Sequence, residues 1–307
     1  MSEKRTLLLI GAGGFAGVHL AEAGAAAGLR VVATRREARE GAPGCDLLDP
    51  AAVASCVEAV QPDLIVNAAG AASVGRSWER PAEAFAANAT AVLNLLDAVA
   101  RNAPNAHVLC ISSADVYGAR DEEELPLGEE LELQPITPYG ASKAAMEIVC
   151  GQYARGRGLR IGIARAFNMI GPGQSPGFAG RVAAAEREGA TELELGLGNP
   201  GAIRDFVDVR DAARALIEIS REQLVGTYNL CSGIGTTIAE LVEELGRATP
   251  LRLRAELDPD LERPADPPAL VGDPARLREA TGFAPRIALG QSLADLLDRQ
   301  RAELASA

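Results

Sequence analysis

Short apolar runs alternate with helical segments through the first half of the chain, and this alternation restricts the possible folds more than any other feature. The segments between the runs are rich in alanine, and apolar residues such as Val92, Leu95, Leu96 and Val99 recur at helical spacing. The runs themselves predict buried strands at Leu7–Ile10, Arg30–Thr34, Leu64–Asn67, His107–Ser112 and Arg160–Arg165. Such alternation predicts an α/β protein with a doubly wound parallel sheet.

The pattern changes after Ala166. GPGQSPG (171–177) and GLGNPG (196–201) form loops, whereas Gly226–Leu230 predicts a further strand that rejoins the sheet. The last helix is predicted at Gln291–Leu304. We therefore expect a large sheet domain and a smaller α/β lobe, formed by residues 1–166 plus 202–232 and by residues 167–201 plus 233–307 respectively.

Composition excludes several classes of function. The net charge of −12 argues against general nucleic-acid binding, which requires a basic surface. His19 and His107 are the two histidines, which disfavours zinc chemistry and a Ser-His-Asp triad. The five cysteines lack metal-ligand spacing and predict reduced thiols in a cytoplasmic protein. The apolar run Leu7–Ile10 is too short for a signal sequence, and no stretch approaches the length of a membrane span.

GAGGFAG (11–17) follows the first predicted strand and opens a helix. Gly11 permits the tight turn, Gly14 lets a pyrophosphate approach the backbone, and Gly17 allows the helix to pack closely. The helix N-terminus offers N–H groups and positive potential to the phosphates, with Phe15 beside them. This strand–turn–helix context predicts a dinucleotide-binding domain of the Rossmann type.

The end of the second predicted strand indicates which dinucleotide binds. An NAD site usually has an acidic residue here for the ribose 2′-hydroxyl, but this chain has Thr34, Arg35 and Arg36. Two guanidiniums suit a 2′-phosphate, so NADP(H) is favoured over the alternative, NAD(H).

Two further strand ends are candidates for cofactor contacts. CDLLD (45–49), predicted to follow a strand, offers Asp46 to the adenine amino group and Leu47 to the ring. NAAG (67–70) places Ala68 and Ala69 at the carboxyl edge of the sheet, where ligands bind in such folds.

TPYGASK (137–143) places a phenol and an ammonium one helical turn apart. Thr137 is the predicted N-cap and Pro138 the first helical residue. Lys143 and an oxidised nicotinamide both favour the phenolate of Tyr139, so the pair forms an acid/base whose proton exchanges near neutral pH. Lys143 also donates to the hydroxyls of the nicotinamide ribose. Both residues are thus candidate catalytic and cofactor-binding residues.

Ser113, at the end of the preceding strand, is the predicted third member because it can donate to a substrate carbonyl beside the tyrosine. Ser112 is its rival, and the register to VYG (116–118) favours Ser113. Asn88, near a predicted helix start, either supports the network through water or caps the helix.

Together GAGGFAG, CDLLD, NAAG, SSADVYG and YGASK resemble the extended short-chain dehydrogenase/reductase family. The resemblance implies a Rossmann fold and a catalytic set of Ser113, Tyr139 and Lys143. It also implies a homodimer in which the helices near 84–100 and 140–155 pair across a two-fold axis.

The second half is similar to the GDP-4-keto-6-deoxy-D-mannose reductase subfamily, in AFNMIGPGQSPGF (166–178), AIRDFVDVRDAARAL (202–216), YNLCSGIGTTI (228–238) and residues 263–289. The resemblance implies NAD(P)H-dependent reduction of the C4 keto group of GDP-4-keto-6-deoxy-D-mannose, which gives GDP-D-rhamnose. It assigns substrate contacts to Ser73, Asn168, Arg181, Arg204 and Arg263, with the arginines directed to the nucleotide and its diphosphate.

Two other functions remain open from the sequence. A nucleotide-sugar 4-epimerase or 4,6-dehydratase uses the same triad. Dehydratases carry acids after the catalytic hydroxyl, whereas this chain has Ala114 and the short Asp115, which disfavours dehydration. A non-catalytic NADP-sensing protein is the second alternative, although such a protein has no need for the complete catalytic set.

Overall fold

A computed structural model describes residues 4–37, 44–261 and 265–306. The strands in these ranges are β1 (Thr6–Ile10), β2 (Arg30–Thr34), β3 (Leu64–Asn67), β4 (His107–Ser113), β5 (Arg160–Ala166), β6 (Asn168–Ile170), β7 (Glu192–Leu197), β8 (Ile203–Asp208), β9 (Gly226–Leu230), β10 (Gly235–Thr237), β11 (Arg252–Leu257) and β12 (Ala269–Leu270). The six strands whose bounds were predicted are present, and β1, β4 and β5 are each one residue longer than predicted.

The helices in the same ranges are α1 (Phe15–Ala26), α2 (Pro50–Val60), α3 (Val74–Glu79), α4 (Pro81–Phe85), α5 (Ala91–Asn102), α6 (Pro138–Arg157), α7 (Gly177–Arg187), α8 (Val209–Arg221), α9 (Ile238–Gly246), α10 (Ala275–Thr281) and α11 (Leu289–Ser306). A π-helical turn, Ala86–Thr90, joins α4 to α5. The last helix begins two residues before its predicted start and ends two residues after its predicted end.

The large sheet is parallel, with the strand order β2-β1-β3-β4-β5-β9. The apolar residues of β1 alternate between its two faces. Leu8 and Ile10 pack into the core that α2, α5 and α6 cover, whereas Leu7 and Leu9 pack against α1 and α8. Because both faces are covered, the strands are apolar throughout rather than alternating with polar residues. The predicted doubly wound sheet is confirmed.

A crevice opens between β1 and β3, where the order of the strands reverses. β2 pairs on one side of β1 and β3 on the other, with Ile10 opposite both Thr34 and Asn67. The loops that follow these strands diverge to opposite faces of the sheet, so the carboxyl edge is open at this point. The fold therefore places the glycine-rich turn and NAAG side by side.

A smaller lobe lies beyond the carboxyl edge. One of its sheets has the order β10-β8-β12, with β6 also pairing β8, and β7 pairs β11 in parallel. Its core contains Val182 of α7, Leu241 of α9 and Leu297 of α11. The predicted domain boundaries remain a prediction: β8 pairs within the lobe, whereas α8 covers the large sheet and β9 extends it.

The strand expected before CDLLD falls largely on residues 38–43, which lie outside the described residues. Gly44 forms an isolated parallel bridge with Arg35. Asp49 caps α2 by accepting from the N–H groups of Ala51 and Ala52. Among the described helices, none has both the length and the apolar character that crossing a bilayer requires.

Candidate active site

The glycine-rich turn fits closely against neighbouring backbone. Gly11 has φ of +81°, and a Cβ there would lie 2.6 Å from the amide nitrogen of Ala69. A Cβ at Gly17 would overlap the carbonyl oxygen of Gly11, which explains the need for glycine at this position. Gly14, the N-cap of α1, provides no side-chain cap, so the first N–H groups of the helix face the crevice without one. The turn thus suits a pyrophosphate.

Two cavities, of about 610 and 480 Å³, meet along the carboxyl edge of the sheet. Ala69, Gly70 and Ala71 line both of them, so they form one elongated groove. The first cavity lies beside the end of β2, and the second contains Phe15, Tyr139 and Lys143. An extended groove that passes the glycine-rich turn at its middle has the form that a dinucleotide requires.

Four of the five residues predicted to contact the adenosine half of the cofactor line the first cavity, and one does not. Arg35, Arg36, Asp46 and Leu47 line the first cavity. Thr34 does not, because it is fully buried and its hydroxyl donates to the carbonyl oxygen of Leu9. The prediction that the Thr34 side chain contacts the cofactor is therefore not supported: its alternation along β2 directs it into the protein.

The start of α6 has the predicted form. Pro138 is the first helical residue, and the Thr137 hydroxyl accepts from the N–H of Gly140 at 2.9 Å. The N–H of Tyr139 donates to Ser77 Oγ at 3.1 Å. Lys143, one turn later, donates from Nζ to the carbonyl oxygen of Ile111 at 2.8 Å and lies 6.0 Å from the centre of the Tyr139 ring. The two side chains share the floor of the second cavity.

Ser113 rather than Ser112 faces the tyrosine. Ser113 hydrogen bonds with Tyr139, and its Oγ also donates to Asp115 Oδ2 at 2.9 Å. Ser112 Oγ instead donates to Glu147 Oε1 at 2.5 Å, within a buried ion pair between Glu147 and Arg165. The structure therefore brings Ser113, Tyr139 and Lys143 together.

Burial dominates the proton affinities in this site. It raises the pKa of Tyr139 to about 12; the hydrogen bond with Ser113 acts in the opposite direction, and the Asp115 carboxylate adds to the rise. Burial lowers the pKa of Lys143 to about 8, against the effect of Glu147. The direction for Tyr139 is opposite to the sequence prediction of a phenolate, because desolvation penalises the charged form of a buried phenol.

Asn88 holds the loop after β3. It lies in the π-helical turn and is 1% exposed. Its amide group accepts from the N–H of Ala71, donates to the carbonyl of Ala71 and donates to Ser142 Oγ at 2.8 Å. Asn88 thus neither begins nor caps a helix as predicted; it connects the wall of the groove directly to α6.

The predicted substrate residues fall in three places. Asn168 and Arg204 line the second cavity, where Arg204 forms an ion pair with Asp266. Ser73 caps α3 and lines the first cavity instead. Arg263 lies outside the described residues.

Arg181, a predicted substrate contact, does not line either cavity. It is exposed on α7, donates to the carbonyl oxygen of Glu194 at 3.0 Å, and is absent from the described residues that line the groove. Its neighbours Ala179, Val182 and Ala183 face the core of the lobe. Because successive helical residues differ by about 100°, that packing leaves Arg181 on the exposed face of α7.

Sequence reasoning missed several residues of the second cavity. Phe167, Gln174 and Asp266 line it, and Asp266 pairs with Arg204 across a sequence separation of 62 residues, with no signal in the local sequence. Glu147 did carry a signal, since it follows Lys143 by one helical turn. Among the described residues, no cluster of three or more His, Cys, Asp or Glu side chains could hold a metal ion.

The model of the NAD dependent epimerase/dehydratase family matches residues 7–231. The chain belongs to this family. It is therefore an NAD(P)-dependent enzyme, which confirms the predicted family and enzyme class and removes support from a non-catalytic sensor.

Two relatives are similar to most of the chain. GDP-6-deoxy-D-mannose reductase from Pseudomonas aeruginosa is 36% identical over 82% of this chain and 84% of its own length. GDP-6-deoxy-D-talose 4-dehydrogenase from Aggregatibacter actinomycetemcomitans is 30% identical over 77% of this chain and 79% of its own length.

Two solved structures have the same fold as this protein over nearly the whole chain. RMD from Pseudomonas aeruginosa, complexed with NADPH, has a TM-score of 0.86 at 34% identity and covers 98% of each chain. UDP-glucose 4-epimerase from Thermus thermophilus, complexed with NAD, has a TM-score of 0.84 at 28% identity and covers 96% of this chain and 99% of its own.

Proposed function

We propose that the enzyme reduces the C4 keto group of GDP-4-keto-6-deoxy-D-mannose to give GDP-D-rhamnose, with NADPH as the reductant. The main observation in favour is the buried, neutral phenol of Tyr139, which hydrogen bonds with Ser113 at the floor of the groove. A ketone reductase must deliver a proton, and a phenol whose pKa is raised to about 12 retains one at neutral pH.

Bound NADPH supplies the hydride for the C4 carbon. Ser113 Oγ turns its hydrogen from Asp115 to the carbonyl oxygen and polarises it. Tyr139 then donates its proton to the same oxygen as negative charge develops there. Lys143, held by the carbonyl of Ile111, donates to the nicotinamide ribose and stabilises the phenolate that remains. Because all three groups are buried and hydrogen bonded before the substrate arrives, positioning contributes much of the rate.

The lobe side of the second cavity suits a nucleoside diphosphate sugar. Arg204 offers a guanidinium that is 12% exposed, and a diphosphate would replace Asp266 as its partner. Asn168 lies beside it and donates to the carbonyl of Asp205 at 3.3 Å. We keep Arg263 as a second proposed diphosphate contact and Ser73 as a proposed substrate contact. The two relatives are named for GDP-linked 6-deoxy sugars.

The test is stoichiometric. Purified enzyme, NADPH and the GDP-4-keto sugar should show loss of reduced-cofactor absorbance equal to the GDP-D-rhamnose detected by NMR. A panel with UDP- and dTDP-linked 4-keto sugars measures the choice of base. If the keto sugar is present and NADPH is not consumed, the proposal is wrong.

A nucleotide-sugar 4-epimerase or 4,6-dehydratase is the second candidate, supported by the structural match to UDP-glucose 4-epimerase and by the acidic Asp115 beside Ser113. Both reactions regenerate their cofactor in each turnover. Cofactor that co-purifies tightly, together with conversion of a nucleotide sugar at constant NADPH, would favour this candidate.

We also propose a cytoplasmic homodimer. The outer faces of α5 and α6 carry exposed apolar side chains, Leu93 at 41% and Ile148 at 68% exposure. Light scattering after size exclusion should give twice the mass of 31.9 kDa, and Ile148→Glu should shift the population toward the monomer.

A further inference from the structure

The cavity at the end of β2 is positively charged although the protein is strongly acidic. Four arginines line it, against two carboxylates, Asp46 and Glu83. The whole chain carries a net charge of −12. Arginines concentrated around one cavity of such a chain indicate an anionic ligand there.

The four guanidiniums come from two separate elements on opposite walls. Arg35 and Arg36 follow β2, and the guanidinium of Arg35 lies over the glycine-rich loop, 3.0 Å from the Cβ position of Gly13. Arg76 on α3 and Arg80 after it follow β3, on the other side of β1. A group bound between these walls can contact cations from both.

Arg76 and Arg80 share a single carboxylate partner, Glu83. It lies 3.0 Å from Arg80 and 3.7 Å from Arg76, so the closer geometry belongs to Arg80. Arg76 is 65% exposed and its pair with Glu83 is longer than a hydrogen bond. One carboxylate cannot neutralise two guanidiniums, and Arg76 keeps charge to offer a ligand.

We propose that Arg76 is a specificity-determining residue for the 2′-phosphate of NADP, which it binds together with Arg35 and Arg36, and that Glu83 opposes this binding. The inference rests on the proposed use of NADPH and extends it to a residue outside the β2 segment. NAD presents a neutral hydroxyl at this position, so Arg76 discriminates between the two cofactors. The planar guanidinium suits a phosphate dianion.

The test measures binding to the full chain by calorimetry, with 2′,5′-ADP as the probe and 5′-AMP as the probe that lacks the 2′-phosphate. Arg76→Gln should weaken 2′,5′-ADP about three- to tenfold, as expected for one partly screened charge, and leave 5′-AMP within about twofold. The difference should shrink at high salt. Glu83→Gln should tighten 2′,5′-ADP, because removal of the carboxylate frees Arg76 and Arg80.

Arg101→Gln is the matched control. Arg101 lies on α5 outside the cavity, is 72% exposed and, like Arg76, pairs with one carboxylate, that of Asp97. The control variant should bind both probes as the parent chain does. Equal loss of both probes in Arg76→Gln, or no effect of Glu83→Gln, would overturn the inference. Arg35→Gln distinguishes a failure of the role of Arg76 from a failure of the proposed use of NADPH. If it loses selectivity for 2′,5′-ADP and Arg76→Gln does not, this inference fails alone. If the parent chain itself binds 2′,5′-ADP no more tightly than 5′-AMP, the preference for NADPH fails as well.

Discussion

At the residue scale, burial of Tyr139 keeps its phenol protonated at neutral pH, as a general acid for ketone reduction requires. The sequence predicts a phenolate because Lys143 follows one turn later. In the structure the pKa of Tyr139 is instead raised to about 12, since the ring is buried, and that of Lys143 is lowered to about 8. Desolvation outweighs the neighbouring charge for both groups, and it leaves the tyrosine as a proton donor.

Tyr139→Phe should reduce kcat for ketone reduction by about 10²- to 10⁴-fold, the usual contribution of a positioned general acid. The ring still fills its site, so the affinity for NADPH, measured by fluorescence quenching, should change little. A variant that retains more than a tenth of the parent kcat would contradict the role of Tyr139.

Lys143→Met should raise stability at neutral pH while it abolishes activity. Because the pKa of Lys143 falls from 10.5 to about 8 on folding, the unfolded chain binds more protons between these values, and stability rises with pH across that window. The penalty, roughly 3 kcal/mol from the pKa difference, is complete below pH 8. The lost hydrogen bond to the Ile111 carbonyl offsets about 1 kcal/mol of the gain.

Urea unfolding of the parent chain and of Lys143→Met across this pH range checks the sign. The variant should be more stable by about 1–2 kcal/mol at pH 7, and its advantage should fall as the pH rises from about 8 toward 10.5. An advantage that is constant with pH would show that Lys143 is not desolvated as the structure indicates.

At the element scale, the turn between β1 and α1 depends on what surrounds its glycines. Gly17 is inside the helix, where alanine would ordinarily be favoured by about 1 kcal/mol. Here the added Cβ would overlap the carbonyl oxygen of Gly11 and lie 2.7 Å from Ala12 Cα, so α1 and the turn would have to separate.

Gly17→Ala should therefore destabilise the protein by about 1–3 kcal/mol and weaken NADPH binding, because the turn that faces the pyrophosphate is displaced. Gly156→Ala is the matched control in α6, where the Cβ would meet only the flexible end of Gln152, at 3.2 Å. It should be neutral or stabilising. Thermal unfolding with and without NADPH measures both effects, and equal behaviour of the two variants would refute the argument.

At the scale of the whole molecule, Asp205 connects the lobe to the large sheet. It is fully buried on β8 and accepts from the N–H groups of Ser232 and Gly233, which follow β9, at 2.7 and 2.8 Å. The N–H of Gly272, after β12, also points to it at 3.4 Å. One carboxylate thus ties β8 of the lobe to the segment that follows β9 of the large sheet.

Asp205→Asn should lower stability by about 2–4 kcal/mol, because the amide nitrogen faces N–H groups and leaves buried donors without acceptors. KM for the keto sugar should rise more than the affinity for NADPH falls, since the lobe side of the groove moves. Asp298→Asn, a 70% exposed partner of Arg301, is the control and should be nearly neutral. If Asp205→Asn and Asp298→Asn changed stability and KM equally, Asp205 would have no bridging role.

The sequence alone determined the large sheet, its glycine-rich turn, and the pairing of Tyr139 with Lys143. These features depend on local periodicity, capping and steric needs, all of which are written within a few neighbouring residues. Tertiary structure alone decided the burial that holds the Tyr139 proton, the outward face of Arg181, and the placement of Arg35 and Arg76 around one cavity. Each of those depends on contacts between distant segments, and desolvation and charge act through space, not along the chain.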